Sequence, residues 1–126
     1  MTRNRMLISL FLTAILATGC YYDKAQLLYP STGVCDPAGS TYSATVAPIM
    51  TANCNSCHST AIAVSSGGGI ILDNYTSLKV YATNGKLLGS INHATGFSAM
   101  PKGGGSLSSC DIAKVTNWVN SGALDN

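Results

Sequence analysis

The chain is 126 residues long, room for one compact domain, and it carries five Asp, no Glu and seven Lys or Arg. Two of the cations, Arg3 and Arg5, precede an apolar N-terminal stretch; after residue 20, five lysines face five aspartates and the formal charge is zero. A neutral chain without a basic patch argues against nucleic acid or anionic lipid as an electrostatic partner.

Met6 to Ala17 is about twelve apolar residues, short of the roughly twenty a membrane span needs and suited to the core of an export signal. It ends in Leu16-Ala17-Thr18-Gly19-Cys20. Small residues before a cysteine resemble a bacterial lipoprotein signal, cut before Cys20 and lipidated on its sulfur. The usual Leu three places before the cysteine is displaced, Ala17 standing there and Leu16 one earlier; an ordinary signal peptide with an incidental cysteine is the alternative. The expected organisation is a signal peptide over 1–19, a tether and lead-in over 20–40 broken by Pro30, Gly33, Pro37 and Gly39, and one domain over 41–126. The mature chain is expected on the periplasmic side, lipid-anchored to a bacterial membrane. Tyr21 rather than Asp after Cys20 favours the outer one.

In the domain, a short helix is expected from Ser43 or Thr45, with Pro48 tolerated in its first turn and Val46, Ile49, Met50 and Asn53/Cys54 at helical spacing. At its end stands Cys54-Asn55-Ser56-Cys57-His58. A Gly/Ser loop over 59–72 brings Ile70-Ile71-Leu72 into the core. Asp73 is the expected N-cap of a helix over 74–82, with Tyr75, Leu78 and Tyr81 or Ala82 on one face and Asn84-Gly85 as its stop. Residues 86–92 suggest another short helix, and 94–107 a loop whose conspicuous apolar residue is Met100, directly before Pro101. Ser108 caps the last helix, Asp111 takes the capping-box position, and Ile112, Val115, Trp118 and Val119 form its buried stripe up to Ser121-Gly122. Strand signals are scarce. The fold class is all-α, with three to five short helices and long loops.

Of the five cysteines, Cys20 is assigned to a lipid and Cys54 with Cys57 to a cofactor, which leaves Cys35 and Cys110 as a pair. Exported proteins keep disulfides, and this one would close a loop of about 75 residues, worth about 4 kcal/mol in the chain-entropy model. Two buried free thiols are the alternative that the count leaves open.

Three chemistries compete for Cys54-x-x-Cys57-His58. Structural zinc wants four Cys/His ligands, usually in paired clusters, and only the isolated His93 and Cys110 remain. A thioredoxin-like dithiol wants the motif opening a helix after a strand, and no βαβ pattern is present. Covalent haem fits: two thiols three apart reach the vinyl groups of neighbouring pyrroles, and the adjacent His58 comes beneath the iron as axial ligand. One haem c would also supply apolar core to a small chain. For the sixth ligand Met100, in a Pro/Gly loop far from any helical stripe, is preferred to His93; a thioether would raise the potential and a second imidazole would lower it.

These residues resemble a small monohaem cytochrome c of the class I type. The runs V-A-P-I-M-T-A-N-C-N-S-C-H-S, G-G-I-I-L-D-N-Y and M-P-K-G-G-G-S-L-S look closest to lipoprotein cytochromes c of Bacteroidota-like bacteria, over roughly residues 42–123. The resemblance implies helices wrapped around one haem, with Cys54 and Cys57 as thioether anchors and His58 and Met100 as axial ligands. It makes Tyr75 and Trp118 candidates for haem packing or propionate bonding, with core packing as the competing role. Many class I members carry a Pro soon after the motif whose carbonyl orients the histidine; none follows His58 closely here, so its acceptor is open.

The expected function is electron transfer through a six-coordinate iron, without enzymatic turnover, as a membrane-tethered carrier docking to redox partner proteins of a respiratory chain. The alternatives are a haem sensor or peroxidase-like enzyme with a labile Met100, and a fixed haem subunit of a larger respiratory complex.

Overall fold

A computed structural model describes residues 35–103 and 105–126. The expected signal peptide, Cys20 and most of the expected tether lie outside the described residues. Among these there is no strand: a π-helical turn over Tyr42–Val46 is followed by α1 (Ala47–Asn53), α2 (Asn55–His58), α3 (Ala63–Ser66), α4 (Tyr75–Thr83), α5 (Lys86–Ile91) and α6 (Ser109–Asn120). The all-α expectation holds, with more and shorter pieces than expected. None of the described helices is long and apolar enough to cross a membrane.

The extra pieces have local causes. Thr41 caps the first turn by accepting from Ala44 N–H, and Val46 N–H reaches back five residues to Thr41 O at 3.1 Å. Pro48, which has no N–H to give, then sits in the opening turn of α1. Cys54, at φ −121° and ψ −38°, breaks the helix from α2, so the expected single helix becomes three segments and the motif itself is helical. The Ala63–Ser66 turn was expected as loop. Asp73 is not the cap of α4: Asn74 is, its side chain accepting from Ser77 N–H, while Asp73 turns back to Thr60. Ser108 caps α6 as expected, accepting from Asp111 N–H at 3.0 Å, but Asp111 answers with a bond from the Ser108 hydroxyl instead of the backbone amide of a full capping box.

One core joins these elements. Val46, Met50, Leu78, Val115 and Trp118 are its largest fully buried side chains, and α6 packs on the π-helical turn and on α5. The last residues are stitched in: Trp118 Nε1–H donates to Leu124 O, the Tyr75 hydroxyl donates to Ala123 O, and Ser43 N–H donates to Asn126 O. Cys35 and Cys110 form a disulfide, Cα atoms 5.5 Å apart and 75 residues apart in sequence, tying the lead-in to the start of α6.

Candidate cofactor site

Between α2, α4, α5 and the 96–107 loop lies a cavity of about 620 Å³, within the roughly 300–1,000 Å³ of pockets that enclose cofactor-sized ligands. Cys54, Cys57 and His58 line it from one side. Met100 and Pro101 line it from the loop after α5, and Leu72, Leu87, Ile91 and Leu107 supply buried apolar wall. The three motif residues and Met100, 42 positions beyond His58, thus share one cavity.

His58 is held on two sides. Its Nδ1 lies 3.0 Å from Ile70 O, and a carbonyl can only accept, so Nδ1 carries a proton and Nε2 is the nitrogen left for another partner. Its backbone carbonyl accepts from Leu72 N–H at 2.8 Å. Gly67 is buried against this ring: a Cβ there would come within 2.8 Å of His58 Nδ1 and would collide with the Cys57 carbonyl. Only glycine lets the loop close so tightly. The acceptor that the sequence left open for the second ring nitrogen of His58 is the Ile70 carbonyl.

The two motif thiols are free. Burial pushes the Cys54 thiol up to about 11, so it stays protonated at neutral pH, unlike the low-pKa nucleophile of a working dithiol. Among the described residues no group of three or more His, Cys, Asp or Glu converges to hold a metal ion by protein ligands alone.

Opposite, Met100 N–H donates to Ser90 O at 3.1 Å, and Met100 O accepts from His93 Nε2 at 3.0 Å. His93 is exposed, does not line the cavity, and spends a ring nitrogen on the backbone of the methionine it was weighed against. Its left-handed backbone, φ 53°, turns the chain into the methionine loop. Phe97 lies over Gly89, where a Cβ would meet its ring at 2.6 Å, and forms part of the cavity lip.

Tyr75 and Trp118 are not part of this lining. Trp118 is 1% exposed, and Tyr75 packs edge-on against Tyr42 at 5.2 Å with its hydroxyl accepting from Lys79 Nζ. Trp118 is a core residue and Tyr75 is half-buried against the core, each with its polar atom bonded, so of the two roles weighed for them core packing is the one seen here. Sequence reasoning missed Ile70, Gly67, and the cavity-lining Lys86 and Lys102. The Gly67-Gly68-Gly69 run was the available signal for the close approach. Nothing in the sequence marks a backbone carbonyl as an acceptor. No carboxylate lines the cavity among the described residues.

No family model matches this chain, and no curated protein or solved structure matches it either.

Proposed function

We propose that the chain is a monohaem c-type cytochrome of the class I kind, an electron carrier exported and lipid-anchored through Cys20. The observation that carries this reading is the convergence of Cys54, Cys57, His58 and Met100 on one largely apolar cavity of cofactor size. Haem bound there would supply reversible one-electron Fe(III)/Fe(II) chemistry.

The chain's own residues would each have a part. Cys54 and Cys57 would form the thioethers, and the neutral Cys54 thiol suits attachment assisted by export machinery more than spontaneous disulfide cycling. His58 would bind through Nε2, because Nδ1–H donates to Ile70 O. Met100 would be the second protein ligand to the iron, and the apolar wall of Leu72, Leu87, Ile91 and Leu107 would exclude water and favour the reduced state. Lys86 and Lys102, the ammonium groups of the lining, would balance the carboxylates of the cofactor. With His58 and Met100 both bound to iron no substrate position would remain, so the expected partners are redox proteins rather than small molecules.

A second reading, a sensor or peroxidase-like protein with a labile sixth ligand, draws on one observation: Met100 is fixed through its backbone alone. The sulfur–iron charge-transfer band of the oxidised protein separates the two. The carrier reading expects the band in wild type, its loss in Met100→Ala and its retention in His93→Ala. A wild-type spectrum without it, unchanged by Met100→Ala, contradicts methionine ligation.

A further inference from the structure

The loop from Ser59 to Leu72 leaves the motif and returns to it, and its closure is set by a small hydrogen-bonded clasp. Thr60 N–H donates to Asp73 Oδ2 at 2.6 Å, and the Thr60 hydroxyl donates to Asp73 Oδ1 at 2.8 Å. Thr60 stands two residues after His58. Asp73 stands three after Ile70, whose carbonyl holds the His58 ring, and directly after Leu72, whose N–H holds the His58 carbonyl. The carboxylate therefore closes the same loop that orients the ring from both ends.

Asp73 would ordinarily serve the helix that follows it, and Asn74 does that work instead. The bonds from Thr60, the backbone one foremost, hold the Asp73 carboxyl below its ordinary value, which marks them as bonds to the charged form. Both residues are exposed, so these bonds compete with water. What a two-pronged clasp adds in that setting is geometry.

We propose that Asp73 is a positioning residue for His58: by gripping Thr60 it keeps the loop closed, so that the Ile70 carbonyl stays on Nδ1 and Nε2 stays aimed at the cavity. Its consequence at iron rests on the functional reading above, whereas the orientation of the ring is a property of the chain itself. A looser clasp weakens the Nδ1–H···O bond, makes the imidazole a poorer donor and destabilises the oxidised iron.

The test is the solvent-exchange rate of the His58 Nδ1–H, read by nitrogen-15 NMR on the reduced protein as purified from a host that attaches haem. Asp73→Asn is expected to speed exchange about tenfold or more, as loss of a charge-assisted bond does. Thr60→Val should do so by less, since its N–H still donates, and Thr60→Ser should restore the wild-type rate. The midpoint potential of Asp73→Asn should rise while the amides of α6 keep their protection. An unchanged ring-proton rate, or one that rises only in step with the α6 amides, overturns the proposal and leaves a purely structural clasp. Wild-type protein purified without covalent haem would defeat the functional reading instead, and the same ring proton in that protein would still decide the clasp.

Discussion

The two sides of the cavity are built differently. On the histidine side the side chain itself is fixed: the ring by Ile70 O, the His58 carbonyl by Leu72 N–H, and the loop by Gly67 pressed against the ring and the Cys57 carbonyl. On the methionine side only the backbone is held, by Ser90 and His93, and the thioether reaches the cavity on a flexible side chain in a Gly/Pro-rich loop. Were both side chains to bind one iron, the histidine would be the fixed ligand and the methionine the adjustable one. The difference teaches where potential and lability would be set.

That contrast can be broken at several points, in order of expected effect. Replacing Cys35 and Cys110 by Ser removes a 75-residue closure at the start of α6, directly after the methionine loop. Denaturant unfolding should show a loss of about 4 kcal/mol in the chain-entropy model, and methionine ligation should weaken before histidine ligation does. An equal loss on both sides would erase the contrast. Gly67→Ala should cost about 1–3 kcal/mol, the range for overpacking, with the damage read as a perturbed His58 ring. The backbone carbonyl of Cys57 cannot move aside as a flexible side-chain end could.

His93→Ala should be gentler. It removes one exposed hydrogen bond, worth about 0.5–1.5 kcal/mol, and should speed methionine exchange at iron, measured by ligand-binding kinetics, with the spectrum at rest unchanged.

The smallest effect concerns pH. The native Asp73 carboxyl lies below its ordinary value of 3.8, so the clasp contributes fully above that value and is lost as pH falls through the lower native one. The His58 ring proton should therefore stay equally protected from neutral pH down to about pH 5, and lose protection only in stronger acid, with Met100 ligation following its own course.

Much of the candidate site was legible in the sequence. The Cys54-x-x-Cys57-His58 spacing singles out three residues that line the cavity, Met100-Pro101 stands outside every helical stripe, and Ser108 with Asp111 marks the last helix by side-chain chemistry alone. The cysteine count also led to the Cys35–Cys110 bond. What was hidden is carried by the backbone. Cys54 breaks a helix whose apolar spacing runs on unbroken, Ile70 contributes a carbonyl that any residue owns, and Asp73 looks like a cap until its neighbour takes the position. Tyr75 and Trp118 were ambiguous for the opposite reason: an aromatic at core spacing is equally suited to a porphyrin or to other side chains, and only packing decides.

The central claim is that Cys54, Cys57 and His58 seat a covalent haem. The most direct measurement is a pyridine haemochrome spectrum, with protein quantified in parallel, on chain exported from cells that carry haem-attachment machinery. The account predicts one haem per chain that survives denaturation and acid–acetone extraction in wild type and is lost in a Cys54→Ser, Cys57→Ser double variant. Wild-type protein that folds, exports and carries no covalent haem would contradict it.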